Sequence, residues 1–139
     1  MRFVDASVFL YAYLKPKRPI PTGVAEMKRR ARGILARITA GEVVSTGLIH
    51  LSEVANILEA VMSLDESRKI ITDLFSSETI EVLDSVKRDF LDAIDIAEES
   101  NVGVNDGVAC VLMRSNGIGE IYSFDSDFDR IPGIKRLTG

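Results

Sequence analysis

Four carboxylates stand where reactive groups are commonly placed in a chain of alternating strands and helices. Asp5 follows the apolar pair Phe3-Val4, and Asp125 follows Ile121-Tyr122-Ser123-Phe124, with Asp127 and Asp129 close behind. Asp106 opens a stretch with helical spacing, and Glu53 lies about two turns into another that is otherwise rich in Leu, Ile, Val and Ala. Brought together, such groups repel one another, so that some stay protonated unless a cation joins them. Oxygen ligands suit hard divalent ions such as Mg²⁺ and Mn²⁺. Those ions lower the pKa of a bound water, hold it in line with a phosphodiester and stabilise the departing oxygen. Each acid also has an ordinary structural reading, because Asp after a strand or at a helix start serves as a cap or turn residue. Asn105-Asp106-Gly107 fits a turn and a cap, Asp125-Ser126-Asp127 an acidic loop, and Glu53 a helix face with a buried stem and a solvated head. Spacing alone leaves both readings open.

The remaining composition narrows the chemistry. The 139 residues include one His, one Cys and no Trp, with 17 Lys+Arg against 21 Asp+Glu for a formal charge of −4. One Cys excludes an internal disulfide framework and a Cys-rich zinc site, and suits a reducing compartment. One His excludes sites that need two imidazoles. The negative charge argues against binding DNA or a membrane surface by bulk attraction. With 46% hydrophobic and 27% charged residues, the chain reads as folded, and its length fits one domain over residues 1–139. The apolar run Ala6–Leu14 follows Asp5 and precedes Lys15, Lys17 and Arg18, the reverse of a signal peptide, and is well short of the roughly 20 residues of a spanning helix. A soluble, cytoplasmic protein is the expectation.

The elements that must position the acids follow from apolar spacing. Strands are expected at Phe3-Val4, Glu42–Ser45, Ile80–Leu83 and Ile121–Phe124, with a short fifth at Ile134–Leu137. Helices are expected at Ser7–Leu14, Val24–Ala40, after a capping Thr46, at Asp65–Phe75, at Asp89–Glu99 and from Asn105 or Asp106 to Met113, closed by Asn116-Gly117. Three prolines in Lys15–Pro21 favour an extended loop. Strands separated by helices imply βαβ units, hence an α/β fold with a mainly parallel sheet of four to five strands flanked by helices. In such sheets ligands bind beyond the carboxyl ends of the strands, near a switch in strand order. Asp5 and Asp125 sit at two such ends.

Four segments in this order resemble the PIN-domain ribonucleases, and among them the VapC-type toxins of toxin–antitoxin pairs. They are Phe3-Val4-Asp5-Ala6-Ser7, Ser45-Thr46 through Leu51-Ser52-Glu53-Val54, Asn105-Asp106-Gly107-Val108-Ala109, and Tyr122-Ser123-Phe124-Asp125-Ser126-Asp127-Phe128 followed by Pro132-Gly133. The resemblance spans nearly the whole chain. It implies a PIN-like three-layer sandwich that gathers Asp5, Glu53, Asp106 and Asp125 around one or two Mg²⁺ or Mn²⁺ ions, and metal-dependent endonucleolytic cleavage of RNA by activated water. Ser7 and Ser123 match hydroxyl positions that line or brace that pocket, and Asp127 matches a frequently acidic position beside the fourth acid. Ser123 stands where Thr is commoner, Ala6 where Thr is frequent and Gly107 where Ala is usual, none of which removes a ligand. A small antitoxin that blocks the site and a homodimer are implied in the same way. Two divalent ions would cancel the formal charge of −4 and place positive charge where a phosphate must sit.

Competing functions are a PIN-like module that binds metal, nucleic acid or protein without cleaving, and a nuclease of RNA processing. The full set of acids favours cleavage over the first. Outside the acids, Met27–Arg32 with Arg37 is the most basic stretch, read as a solvated helix face or, with the proline loop, as a contact to RNA or to an acidic antitoxin segment. His50, three residues before Glu53, reads as a packing or hydrogen-bonding residue, and Cys110 as a small buried hydrophobe.

Overall fold

The computed structural model describes residues 1–15 and 21–139. Five short strands, β1 (Arg2–Val4), β2 (Val44–Gly47), β3 (Ile80–Leu83), β4 (Glu120–Tyr122) and β5 (Lys135–Leu137), form one sheet in the order β3-β2-β1-β4-β5. Every pairing is parallel. Among the described residues six helices lie in the connections: α1 (Ala6–Tyr13), α2 (Thr22–Thr39), α3 (Leu48–Val61), α4 (Leu64–Ser76), α5 (Lys87–Ser100) and α6 (Val104–Ser115). A 3-10 turn, Ser126–Arg130, joins β4 to β5. The expected α/β class and parallel sheet are therefore present, with five strands.

Alternation in the two central strands divides the core between the faces of the sheet. Phe3 and Ile121 are register partners, as are Val4 and Tyr122. Val4 and Tyr122 join Phe9, Ile34, Leu51, Val54, Leu58 and Leu74 from α1–α4. Phe3 and Ile121 turn the other way, onto Ala93, Val108 and Leu112 of α5 and α6. Cys110 lies in this second core, fully buried.

Gly107 explains how closely α5 and α6 pack. A Cβ at this position would stand 2.4 Å from the Ala93 carbonyl oxygen, so the helices touch backbone to backbone. Asn101 closes α5 in the left-handed conformation, φ 53°.

Several element ends differ from expectation. Thr46 does not cap α3. It lies inside β2, and its hydroxyl donates to the Val4 carbonyl at 2.7 Å, stitching β2 to β1, while Gly47 takes the cap position. The second strand runs two residues later than Glu42–Ser45, and β4 spans Glu120–Tyr122: the Ser123 N–H still donates to the Leu137 carbonyl of β5, but the Phe124 N–H is taken by the Ser7 hydroxyl. Helix α6 starts at Val104, earlier than Asn105 or Asp106, with Gly103 at the cap. The proline loop falls mostly at 16–20, outside the described residues. No helix among the described residues is long and apolar enough to cross a membrane.

Candidate metal centre

The strand order reverses direction at β1 and β4: the chain leaves β1 toward β2 on one side and leaves β4 toward β5 on the other. Asp5 and Asp125 follow these two strands, which puts them on either side of that crevice. Asp5 is only 6% exposed, and its backbone N–H donates to the Tyr122 carbonyl at 3.0 Å. Although Asp5 occupies the cap position of α1, its side chain makes no capping hydrogen bond. Its Oδ2 instead accepts from the Ser123 hydroxyl at 2.8 Å. That hydroxyl in turn accepts from the Asp125 N–H at 3.0 Å, so one buried oxygen bridges the two acidic segments. Ser7 accepts from the Phe124 N–H at 3.0 Å and lies 3.4 Å from the Ser123 hydroxyl. The two serines thus link the turn after β4 to Asp5 and the start of α1.

Asp106, Asp125 and Asp127 form the tightest group. One carboxylate oxygen from each lies within 4.8 Å of the others. Asp106 comes from the first turn of α6 and is not its cap residue. Asp125 does cap, accepting from the Asp127 N–H at 2.9 Å, and this bond turns Asp127 back toward the group. Asp127 ranked as a supporting residue in the sequence; here it stands in the acid cluster itself. Asp5 is near enough for its charge to act on Asp106. Glu53, partly buried on α3, stands outside the three-acid group, and its charge acts on His50.

Crowding of like charge shows in Asp106, whose pKa is raised from 3.8 to about 7. Burial is the largest cause, followed by the charges of Asp125, Asp5 and Asp127, against a smaller opposing hydrogen bond from the Gly103 backbone. Among the described residues neither Asp106 nor Asp125 has an ion-pair partner, while Asp127 lies 3.4 Å from Arg130. An all-oxygen, half-buried and electrostatically frustrated donor set fits a hard divalent cation.

Two more residues stand near the acids: His50, read from the sequence as a packing or hydrogen-bonding residue, and Arg136, which carried no reading. His50 is buried, with Nε2 3.0 Å from the Asn105 carbonyl. Burial pushes its pKa down, and Asp5, the Asn105 backbone and Glu53 pull it the other way. Its spacing from Glu53 was the available signal. Arg136 pairs with Asp129 through two nitrogens at 2.9 and 3.0 Å and donates to the Ser123 carbonyl at 3.3 Å. Two adjacent basic residues on a short last strand, Lys135 and Arg136, offer no sequence signal of that kind. The basic stretch is partly spent internally: Lys28 donates to the Tyr11, Ala12 and Leu14 carbonyls at the end of α1, and Arg29 and Arg30 pair with Glu26.

The PIN-domain family model matches residues 2–134. The chain belongs to the PIN-domain family. A comparison with curated protein sequences finds no match. Among solved structures, this PIN domain is similar in fold to VapC20 of Mycobacterium tuberculosis, described as a toxin that cleaves the sarcin-ricin loop, with a TM-score of 0.69, 20% identity and 93% of each chain covered. It is similar also to VapBC2 of Rickettsia felis bound to a promoter DNA fragment (TM-score 0.68, 12% identity, 98% of this chain and 96% of that one). A toxin–antitoxin complex from Klebsiella pneumoniae gives a TM-score of 0.67 at 13% identity, with 97% and 96% covered. The acid cluster of this PIN domain is consistent with the metal site of the family.

Proposed function

We propose that this PIN domain is a Mg²⁺- or Mn²⁺-dependent endoribonuclease and the toxin of a VapBC-type pair. The observation that carries the reading is the convergence of Asp106, Asp125 and Asp127 within 4.8 Å, with Asp5 beside them, at the switch point of a parallel sheet. Asp5, Asp106 and Asp125 hold one or two ions, Asp127 adds a carboxylate to the same cluster, and Glu53 completes the set from α3. When bound, the metal supplies a water of lowered pKa and charge stabilisation for the departing oxygen of a phosphodiester. The chain's own part is to present ionised oxygens in fixed positions. Ser123 holds Asp5 in one rotamer and ties the Asp125 backbone to it, and Ser7 locks the Phe124 turn between them. Asp106 must lose a proton that it retains to about pH 7 in the metal-free protein. No side chain is assigned as general base.

A small antitoxin as partner is supported by the toxin–antitoxin complexes among the structural neighbours. Self-association is proposed on the family resemblance, and Leu91 and Ile94, exposed on α5, supply apolar surface for it. We place its action in the cytoplasm, where RNA and a reducing environment coincide.

The test is cleavage of RNA by purified Asp5→Asn protein with Mn²⁺ present. Wild type cleaves, and the variant falls by at least about 100-fold while keeping its fold, measured by circular dichroism. Undiminished cleavage by the variant overturns the catalytic assignment. Expression of wild type alone slows growth, and a co-expressed small neighbouring protein relieves it. Cleavage without any growth effect moves the role to RNA processing.

A further inference from the structure

One buried side chain outside the carboxylates ties two acid-bearing helices together. We propose that His50 is a positioning residue of the metal centre, setting the start of α6, and with it Asp106, against α3 and Glu53. The inference rests on the metal-centre reading given above. His50 is 1% exposed, and its Nε2 meets the Asn105 carbonyl at 3.0 Å. That carbonyl belongs to the peptide that joins Asn105 to Asp106, so any shift of the imidazole passes directly into the Asp106 backbone. On its own helix His50 stands one turn before Glu53, at the three-residue spacing that shares a face.

The surroundings are built to hold the ring. Phe3 packs edge-on against it, with centroids 5.3 Å apart and planes at 82°. Gly47 makes the space. A Cβ there would lie 2.3 Å from Nδ1 and 3.1 Å from Cε1. The backbone at Gly47 has φ −90° and ψ 146°, which any residue adopts, so the imidazole and not the chain conformation calls for glycine.

The ring also carries a cost. Nδ1 is buried with no hydrogen-bond partner among the described residues. With the proton on Nε2 for the Asn105 carbonyl, Nδ1 is an unpaired acceptor, which is destabilising. Packing alone therefore favours an apolar side chain of similar size. The bond to Asn105 is what a polar ring adds, and its product is a fixed distance between two helices that both supply acids. Partners that orient metal ligands in this way typically change affinity by about 10–100-fold when removed.

The test is calorimetric titration of the metal-free chain with Mn²⁺ alone, paired with thermal unfolding in the absence of metal. His50→Leu and Gly47→Ala, which delete and displace the ring, each weaken Mn²⁺ binding about tenfold or more. His50→Gln, which keeps an N–H₂ donor, recovers most of the affinity. The metal-free melting temperature of His50→Leu stays near that of wild type, whereas a purely structural role lowers it and does not separate Gln from Leu. Wild-type affinity in His50→Leu, or a Gln variant no better than Leu, overturns the assignment. Where His50→Leu does not fold, Gly47→Ala decides, and unchanged affinity in that variant overturns it. A wild-type chain that takes up no Mn²⁺ overturns the metal-centre reading itself and the role of His50 with it; a wild type that binds, with variants that bind equally, removes the role of His50 alone.

Discussion

Replacing Asp106 by Asn removes a charge from the crowded group while keeping the side-chain shape, and the metal-free protein is expected to become more stable at neutral pH. The span between 3.8 and about 7 is worth about 4 kcal/mol at 1.36 kcal/mol per pH unit. The carboxyl is only half-buried, and solvent screening reduces this to about 2 kcal/mol. The first turn of α6 favours an anion there by about 0.3–1 kcal/mol, leaving roughly 1–1.7 kcal/mol against the ionised wild type. The sign follows from proton counting. The unfolded chain ionises Asp106 near pH 3.8, whereas the fold retains the proton to about 7, so wild-type stability falls as pH rises through that window and levels off above it. Asn does not titrate. Its advantage is therefore only about a third developed at pH 5 and complete by pH 8, where a chain of this size should melt about 3–5 °C higher than wild type. Scanning calorimetry in the presence of a chelator, at pH 5 and pH 8, measures both. Adding Mn²⁺ at pH 8 reverses the order, since only the wild type gains binding energy. A variant that melts below wild type at pH 8, or a difference that does not change between the two pH values, refutes the reasoning.

Three further outcomes follow from the same geometry. Mn²⁺ affinity of wild type should rise about tenfold per pH unit below pH 7 and flatten above it, because Asp106 must shed its proton to bind; isothermal titration across pH 5.5–8.5 measures the slope. Ser123→Ala removes the donor to Asp5 and the acceptor for the Asp125 N–H, and should weaken Mn²⁺ binding by about 10-fold and stability by about 1–3 kcal/mol in a denaturant titration. Gly107→Ala forces a methyl against the Ala93 carbonyl and should cost about 1–3 kcal/mol, read as a lowered urea midpoint.

Much of the scaffold was legible because its signals are local. β3 appears at Ile80–Leu83 as expected, bounded by a helix pattern on each side. Helix ends were harder: Thr46 has the chemistry of a cap, yet its hydroxyl bonds across to β1, a partner 42 residues away. Within the site, Asp5 and Asp125 were visible from their places after apolar runs. Asp127 was underweighted because an acidic loop looks the same whether its side chains point outward or are turned inward by an Asx bond. His50 was set aside for a similar reason. Its bond to Asn105 joins residues 55 apart, and no spacing rule reaches that far.

Gly107 shows the division most plainly. Its departure from the usual Ala is readable along the chain, and its cause, the Ala93 carbonyl of a second helix, is not. By itself the sequence determined the class of fold, through the alternation of short apolar runs with helical periodicity, and limited the reactive groups on offer to carboxylates, with almost no His or Cys. The tertiary structure decided which carboxylates meet. Strand order placed β1 beside β4 and so brought together ends of the chain that are 120 residues apart, from Asp5 to Asp125. That pairing is a cooperative outcome of two cores forming on opposite faces of one sheet, and only there do the charges that raise the pKa of Asp106 come into range.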